Sequence, residues 1–516
     1  MAIALDGGVP EYGADGHAGQ SRLGIFRRQR DAVPPGSVTF TQDGEHGRTG
    51  SATAATGALD GLARTLATRT GGIAAAQDET ESSVSATDFD AKLVKESFQR
   101  VTANAALAME YFYSHLFALS PETRGMFPMG MSQMRERLFA GLARLVWSLD
   151  SPENSAAYLA QLGRDHRKYG VKDKHYHPFF MALLATAAHF NGPDWTPETS
   201  AAWQGALAYA ARTMRSAAGE DARNHPPWWL GEIVGHERRG DSVAVVTIRP
   251  DRPFPYRPGQ YLTLQVTRWP RIWRAYSIAN APRSSGLLDL HVRLVPGGMV
   301  STTLVRHAGV GDTVLLGPAR GQMALPGEGW PADSPADRIG GGDRAGDAGR
   351  DLLCVAGGTG LAPIKAIIEE VALGRLSIAG QPRRITLFAG ARRQQDLYDL
   401  PDLRRLQAAC PGLQVIPVLS DEPPGPDDRT WISGMLPDVV RAHGLFENSE
   451  AYICGPEAMV RQTTLLLAAH VAAEQIHHDP LPDDQVLLSA TAVAPAADSL
   501  TSLSAKFARP GFPPAG

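Results

Sequence analysis

Leu352-Leu353-Cys354-Val355-Ala356 runs directly into Gly357-Gly358-Thr359-Gly360-Leu361-Ala362-Pro363, and a helical pattern starts near Ile364. Five apolar residues, a glycine-rich turn and a helix start describe a buried strand that delivers its C-terminal end to a helix N-terminus. Backbone amides at such a turn can approach a pyrophosphate. The turn is not the GxGxxG pattern, and taken alone it reads equally as a tight structural turn. Downstream, apolar runs at 385–389, 415–419 and 451–454 alternate with helical segments. Parallel strands separated by helices predict a doubly wound α/β domain over 351–483. The last run ends in Cys454-Gly455-Pro456-Glu457, at the strand edge where ligands bind in such sheets, and this second motif makes a nucleotide site the more specific reading.

Upstream of the α/β domain, residues 326–350 hold seven glycines and three prolines, a flexible insert. Before it, 243–248, 261–266 and 287–292 alternate apolar and polar residues between Gly and Pro punctuation, which predicts a small antiparallel barrel over 226–325. The barrel carries Tyr256-Arg257-Pro258-Gly259-Gln260-Tyr261, then Arg274-Ala275-Tyr276-Ser277, then Gly298-Met299-Val300-Ser301. An Arg and a Ser beside a Tyr can pair with a phosphate oxygen, stack on an aromatic ring system and hydrogen-bond its edge. A Gly-x-Val-Ser turn can offer amides to a second phosphate.

Residues 87–225 read as all-α. A cap is predicted at Thr87-Asp88, and Phe89, Leu93, Val94, Phe98 and Val101 follow at helical spacing. Helical patterns continue at 107–119, 138–149, 156–167 and 176–190, and Thr196-Pro197-Glu198 opens a last helix that must stop at His225-Pro226-Pro227. His166 follows Leu159 and Leu162 at i−7 and i−4, so it projects from an apolar helical face. An unpaired imidazole is expensive there and iron coordination would satisfy it.

The 516 residues contain 50 Lys plus Arg and 54 Asp plus Glu, a formal charge of −4. The absence of a long single-sign block argues against a nucleic-acid or membrane-surface protein. Cys354, Cys410 and Cys454 are too few for a disulfide framework, which points to a reducing cytoplasm. No apolar run is long enough for a membrane span. Residues 1–86 carry only Tyr12, Phe26 and Phe40 as aromatics among Gly, Ala, Thr and Ser tracts, and 484–516 are rich in Ala, Ser and Pro. Both are expected to be disordered arms. Fifty-three glycines and 38 prolines exceed the share of average chains, roughly 12%.

The barrel and α/β pair, 226–483, resembles the ferredoxin–NADP reductase superfamily, with its RxYS, GxVS, GGTGxxP and CGP motifs in order. That resemblance implies FAD held by Arg274, Tyr276, Ser277 and Gln260, its pyrophosphate by Gly298, Val300 and Ser301, and the nicotinamide cofactor by Gly357, Gly358, Thr359, Gly360, Pro363, Cys454, Gly455 and Pro456. Asp396-Leu397-Tyr398 becomes a candidate adenine contact. Arg392 and Arg393 are candidates for a 2′-phosphate, which leaves both NADH and NADPH open.

With a globin-like helical region in front, the whole of 87–483 resembles the flavohaemoglobins. This implies haem b ligated by His166, Tyr176 as its partner, Phe127 packing on the haem, Tyr113 as the distal hydroxyl and Leu138 as the distal apolar wall. Three positions depart from the family. Its distal glutamine falls on Met134, with Gln133 one place off. Its proximal glutamate falls near Ala218, with Glu220 and Asp221 nearest. The aromatic that covers the flavin falls on Leu481. The resemblance implies a nitric oxide dioxygenase using O2, nitric oxide and NAD(P)H, expected as a monomer or weak dimer. A flavin fits the chemistry, because it takes two electrons as hydride and releases them singly to iron. An oxygen or redox sensor with a reductase module, and a flavin reductase with a haem-free globin-like domain, are the alternatives.

Overall fold

The computed structural model describes residues 89–321, 323–325, 350–373, 383–423, 431–444, 446, 449–479 and 481. The arms expected at 1–86 and 484–516, residues 326–349 of the insert expected over 326–350 and the cap at Thr87-Asp88 lie outside these residues.

The first helix, α1 (Ala91–Thr102), starts where the Asp90 carboxylate accepts from the amides of Lys92 and Leu93. Then follow α2 (Ala105–Leu119), α3 (Ser132–Ser148), α4 (Pro152–His166), α5 (Tyr176–Asn191) and α6 (Pro197–Asn224). Proline at the first position and the Thr196 side chain on the Thr199 amide start α6, and it ends at His225 ahead of Pro226. The apolar faces of these helices enclose one core, in which Phe98 stacks on Phe139 and Trp203 donates to Ser97 Oγ. At the crossing of α4 and α6 a Cβ on Gly163 would lie 2.2 Å from the Met214 carbonyl oxygen. Glycine is what lets the helix bearing His166 lie flat against its neighbour.

The second unit of chain is a six-stranded antiparallel sheet: β1 (Trp229–Arg239), β2 (Val243–Pro250), β3 (Tyr261–Val266), β4 (Arg274–Ser277), β5 (Leu288–Arg293) and β6 (Thr313–Leu316). Its order is β4-β3-β6-β1-β2-β5, and an Ile278–Leu290 bridge joins the two ends. Sequence alternation finds β2, β3 and β5 but not the others. In β1 the register shifts between Ile233 and Gly235, which interrupts a simple period of two. A short helix, α7 (Met299–Thr302), sits between β5 and β6.

The last region alternates β7 (Asp351–Gly357), α8 (Leu361–Ala372), β8 (Ile385–Ala391), α9 (Leu400–Ala409), β9 (Leu413–Leu419), β10 (Ile432–Ser433), α10 (Leu436–His443), β11 (Ser449–Cys454), α11 (Glu457–Leu467) and β12 (Ile476–His477). Every strand pair is parallel and the order is β10-β9-β8-β7-β11-β12. The chain builds outward from β7 through β8 to β10, then returns to add β11 on the other side. The crevice at the C-terminal ends of β7 and β11 is therefore the switch point of the sheet, where ligands bind in open α/β folds.

Candidate functional site: a haem pocket, a flavin strand and a nucleotide crevice

His166 ends α4 and is 1% exposed. Its Nδ1 pairs with the Leu162 carbonyl one turn earlier. A carbonyl only accepts, so Nδ1 carries the proton and Nε2 the lone pair. Burial pushes the imidazole down to about 3, so the ring is neutral. Nε2 itself is buried with no hydrogen-bond partner among the described residues. An orphaned polar atom of this kind costs on the order of 1–3 kcal/mol unless something else satisfies it.

A second orphan is the hydroxyl of Tyr113 on α2. Its ring is packed edge-on against Phe127, with centroids 5.5 Å apart, and burial holds the phenol in its protonated form, against the pull of the Arg135 guanidinium. Met134 and Leu138, one turn apart on α3, are buried in the same core, whereas Gln133 is exposed. Tyr169 packs on that core and meets the His166 ring at 6.4 Å. A neutral imidazole lone pair, an unpartnered hydroxyl and walls of Phe127, Leu138 and Met134 are a donor set that fits a haem.

Tyr176 starts α5, and its ring packs on Phe180 and on the cluster around Leu159 and Met214. Among the described residues no hydrogen bond joins it to His166, because Leu162 takes Nδ1. No carboxylate takes that role either. Asp221 is engaged by Arg167 and His225, and Glu220 is exposed. Arg135 escapes sequence reading: Nη1 pairs with Glu110 while Nε is buried without a partner.

Arg274, Tyr276 and Ser277 lie on β4, half-buried, with Tyr276 opposite Leu262 and Ser277 opposite Tyr261 on β3. Strand alternation sets Arg274 and Tyr276 on one face and Ser277 on the other. β4 lies at the end of the hydrogen-bonded order, next to β5 across the Ile278–Leu290 bridge. Gln260 accepts from the Arg257 amide and braces the turn before β3. Ser301 turns inward. Its hydroxyl donates to the Gly298 carbonyl and accepts from the Val295 amide, and Val300 is buried in the barrel core. Val300 and Ser301 therefore shape the turn with their side chains, so that only their backbone is left for a ligand. The motif gives no sign of this division, because a ligand-facing and a core-facing residue look alike in it.

Gly357, Gly358, Thr359 and Gly360 form the turn between β7 and α8, and Pro363 lies in the first turn of that helix. Cys454 pairs with Ala356 across β11 and β7, which brings Cys454, Gly455 and Pro456 beside the glycine turn. A Cβ on Gly360 would lie 2.3 Å from the Cys454 carbonyl oxygen, so the two motifs are in backbone contact. Burial pushes the Cys454 thiol up to about 12 and keeps it neutral. A cleft beside the turn is lined by Ala356, Gly358, Ala389, Gly390, Asp396 and Tyr398. Within it the Tyr398 hydroxyl meets His291 Nδ1 of β5 at 2.8 Å, and Asp399 is fully buried between Arg239 and Lys365. The loop 396–399 thus ties the α/β domain to the barrel as well as lining the cleft. Arg392 and Arg393 are exposed, and Leu481 packs on the α/β core.

The contacts between helical domain and barrel are also absent from the motifs. Asp165 pairs with Arg320 at 3.3 Å, Lys168 Nζ donates to Thr263 Oγ1 at 3.0 Å, and Tyr169 meets Trp273 edge-on at 6.3 Å. The available signal is position alone: three of these residues flank His166 and Trp273 directly precedes Arg274.

Comparison with known proteins agrees region by region. Residues 110–214 match the globin family, 234–324 the oxidoreductase FAD-binding domain and 354–464 the oxidoreductase NAD-binding domain. The electron transfer component of the xylene/toluene monooxygenase of Pseudomonas putida is 32% identical over 251 residues, covering 48% of this chain and 63% of that protein. The ferredoxin–NAD(P)(+) reductase component of the naphthalene 1,2-dioxygenase system of Pseudomonas putida is 32% identical over 251 residues, 48% of this chain and 67% of that protein. The chain thus spans a little under two thirds of the length of several curated relatives. Among solved structures, the flavohemoglobin of Malassezia yamatoensis with bound FAD and heme has the same fold, with a TM-score of 0.57 at 17% identity over 75% of this chain and 98% of that one. No helix among the described residues is long and apolar enough to cross a membrane. The chain belongs, through its C-terminal half, to the FAD- and NAD-binding oxidoreductases of the ferredoxin–NAD(P)(+) reductase family, and it is a fusion of that reductase with a globin, in the domain order of flavohaemoglobins.

Proposed function

We propose that this chain is an NAD(P)H-dependent oxidoreductase that passes electrons through FAD to a globin haem, and that its reaction is the oxidation of nitric oxide to nitrate with O2. The observation that carries the reading is the buried, unpartnered Nε2 of His166 in the same chain as a nucleotide crevice and a flavin strand. When bound, the flavin turns a hydride into single electrons and the haem offers an iron site for a diatomic ligand.

The chain's own residues divide the work. Leu162 fixes the tautomer that leaves Nε2 free for iron. The buried Tyr113 hydroxyl would offer one hydrogen bond to a ligand of the haem, and Phe127, Leu138 and Met134 would line its pocket. Arg274 would supply a cation for the flavin phosphates, with Tyr276 and Ser277 of the same strand holding the flavin beside it. The Gly357–Gly360 turn would hold the nicotinamide cofactor's pyrophosphate on its backbone amides at the start of α8. One chain carries the whole route, which we expect to work as a monomer or weak dimer in the cytoplasm.

Purified protein is expected to have both flavin and Soret absorption and to consume nitric oxide only with O2 and NAD(P)H together. Met134 in place of a polar distal residue, and a carbonyl rather than a carboxylate on His166, favour a second reading, an oxygen or redox sensor. Tight O2 binding with negligible nitric oxide consumption would select it.

A further inference from the structure

Immediately beyond His166 the chain presses on the flavin barrel through one compact set of contacts. Tyr169 lies 6.4 Å from the His166 ring and 6.3 Å from Trp273, meeting both edge-on at 70° and 83°. Trp273 adjoins Arg274, the first residue of the flavin strand, whose Nη1 donates back to the Trp273 carbonyl at 2.9 Å. An imidazole, a phenol ring, an indole and the flavin strand thus follow one another across the seam.

The set is clamped from both sides. Lys168 Nζ lies 5.4 Å from the centre of the Tyr169 ring and 5.4 Å from that of Trp273, and Thr263 Oγ1 holds it there. A buried cation over two aromatic faces binds the pair together. Asp165, on the other side of His166, pairs with Arg320 after β6.

We propose that Tyr169 and Trp273 form the bridge through which electrons cross from flavin to haem, with Lys168, Thr263, Asp165 and Arg320 as positioning residues that keep the bridge closed. This rests on the reading that His166 holds a haem and β4 a flavin. Each hydride from NAD(P)H yields a reduced flavin that gives up two electrons singly and one proton to solvent. Each crossing oxidises the flavin by one electron and reduces one ferric iron to ferrous, and the two rings are unchanged. Electron tunnelling weakens steeply with every gap, so a packed pair of rings carries it better than a short aliphatic side chain with a void.

The test uses the holoprotein and its Trp273→Leu and Trp273→Phe variants. After anaerobic mixing with NADH, flavin bleaching is expected to keep its rate, while the Soret shift slows about tenfold or more in Trp273→Leu and largely recovers in Trp273→Phe. A readout independent of turnover accompanies it: photolysis of carbon monoxide from the part-reduced protein, which lets electrons flow back from haem to flavin, slows by the same factor. Midpoint potentials of both cofactors stay at wild-type values, which separates lost coupling from lost driving force. If Trp273→Leu loses flavin, Tyr169→Leu reads the bridge from the globin side. Wild-type transfer rates in a leucine variant that retains both cofactors would overturn the bridge alone. A wild-type Soret band that ignores NADH would overturn the underlying reading and the bridge with it.

Discussion

The Leu162 carbonyl accepts the Nδ1 proton of His166, and this one contact leaves the buried Nε2 as a lone pair with no protein partner. A histidine that merely packed would have both nitrogens paired or one at the surface. The helix backbone instead fixes the tautomer, and the other nitrogen is left in an apolar core with the lone pair that the proposed iron would take.

Tyr113 carries the other orphan of that core, so its hydroxyl is unfavourable until a ligand arrives. Tyr113→Phe is expected to raise the unfolding free energy of the haem-free protein by about 1 kcal/mol. In the haem-loaded protein the same change should speed O2 dissociation roughly tenfold, since one charge-assisted hydrogen bond is lost. Urea unfolding and stopped-flow dissociation check the two halves.

Met134 occupies the buried position facing the core while Gln133 points to solvent. Met134→Gln changes little volume and adds a donor, so O2 dissociation should slow by about threefold to tenfold. Gln133→Ala should leave it unchanged.

Gly360 admits the Cys454 carbonyl at a distance no Cβ tolerates. Gly360→Ala is expected to lower NADH-driven flavin reduction by about a hundredfold. Bleaching by dithionite, which needs no nucleotide site, should keep its rate, and that contrast separates a damaged crevice from lost flavin.

Glu450 is held down to about 2 against burial by His477, Arg383 and Tyr452, from an ordinary value of 4.5. A depressed carboxylate stabilises the fold above the unfolded value and loses that contribution as pH falls through the folded one. Glu450→Gln should therefore cost roughly 3 kcal/mol near pH 7, with the gap to wild type closing between about pH 4.5 and 2. Denaturant titrations at a series of pH values read the closure.

Much of this molecule is legible along the chain, for a physical reason. His166 stands out because Leu159 and Leu162 mark an apolar helical face, and β7 because five apolar residues precede a glycine turn. Periodicity needs length, so the four-residue, half-buried β4 leaves no pattern, and the register shift in β1 blurs its own. Motifs do not say which way a side chain faces: Val300 and Ser301 build their turn from within, and Tyr176 packs away from the His166 hydrogen bond expected of it. The seam is the least legible part. Lys168 and Thr263 are 95 residues apart, and nothing local to either announces the other.

The most direct measurement is the visible spectrum of the purified protein, and of its His166→Ala variant, before and after NADH without oxygen. In the wild type, flavin absorption near the blue edge should bleach and the Soret band should then shift to its ferrous position. In His166→Ala the Soret band should be lost while NADH still bleaches the flavin. A haem-loaded wild type whose Soret band does not respond to NADH, or a His166→Ala variant with an unaltered Soret band, would contradict the account.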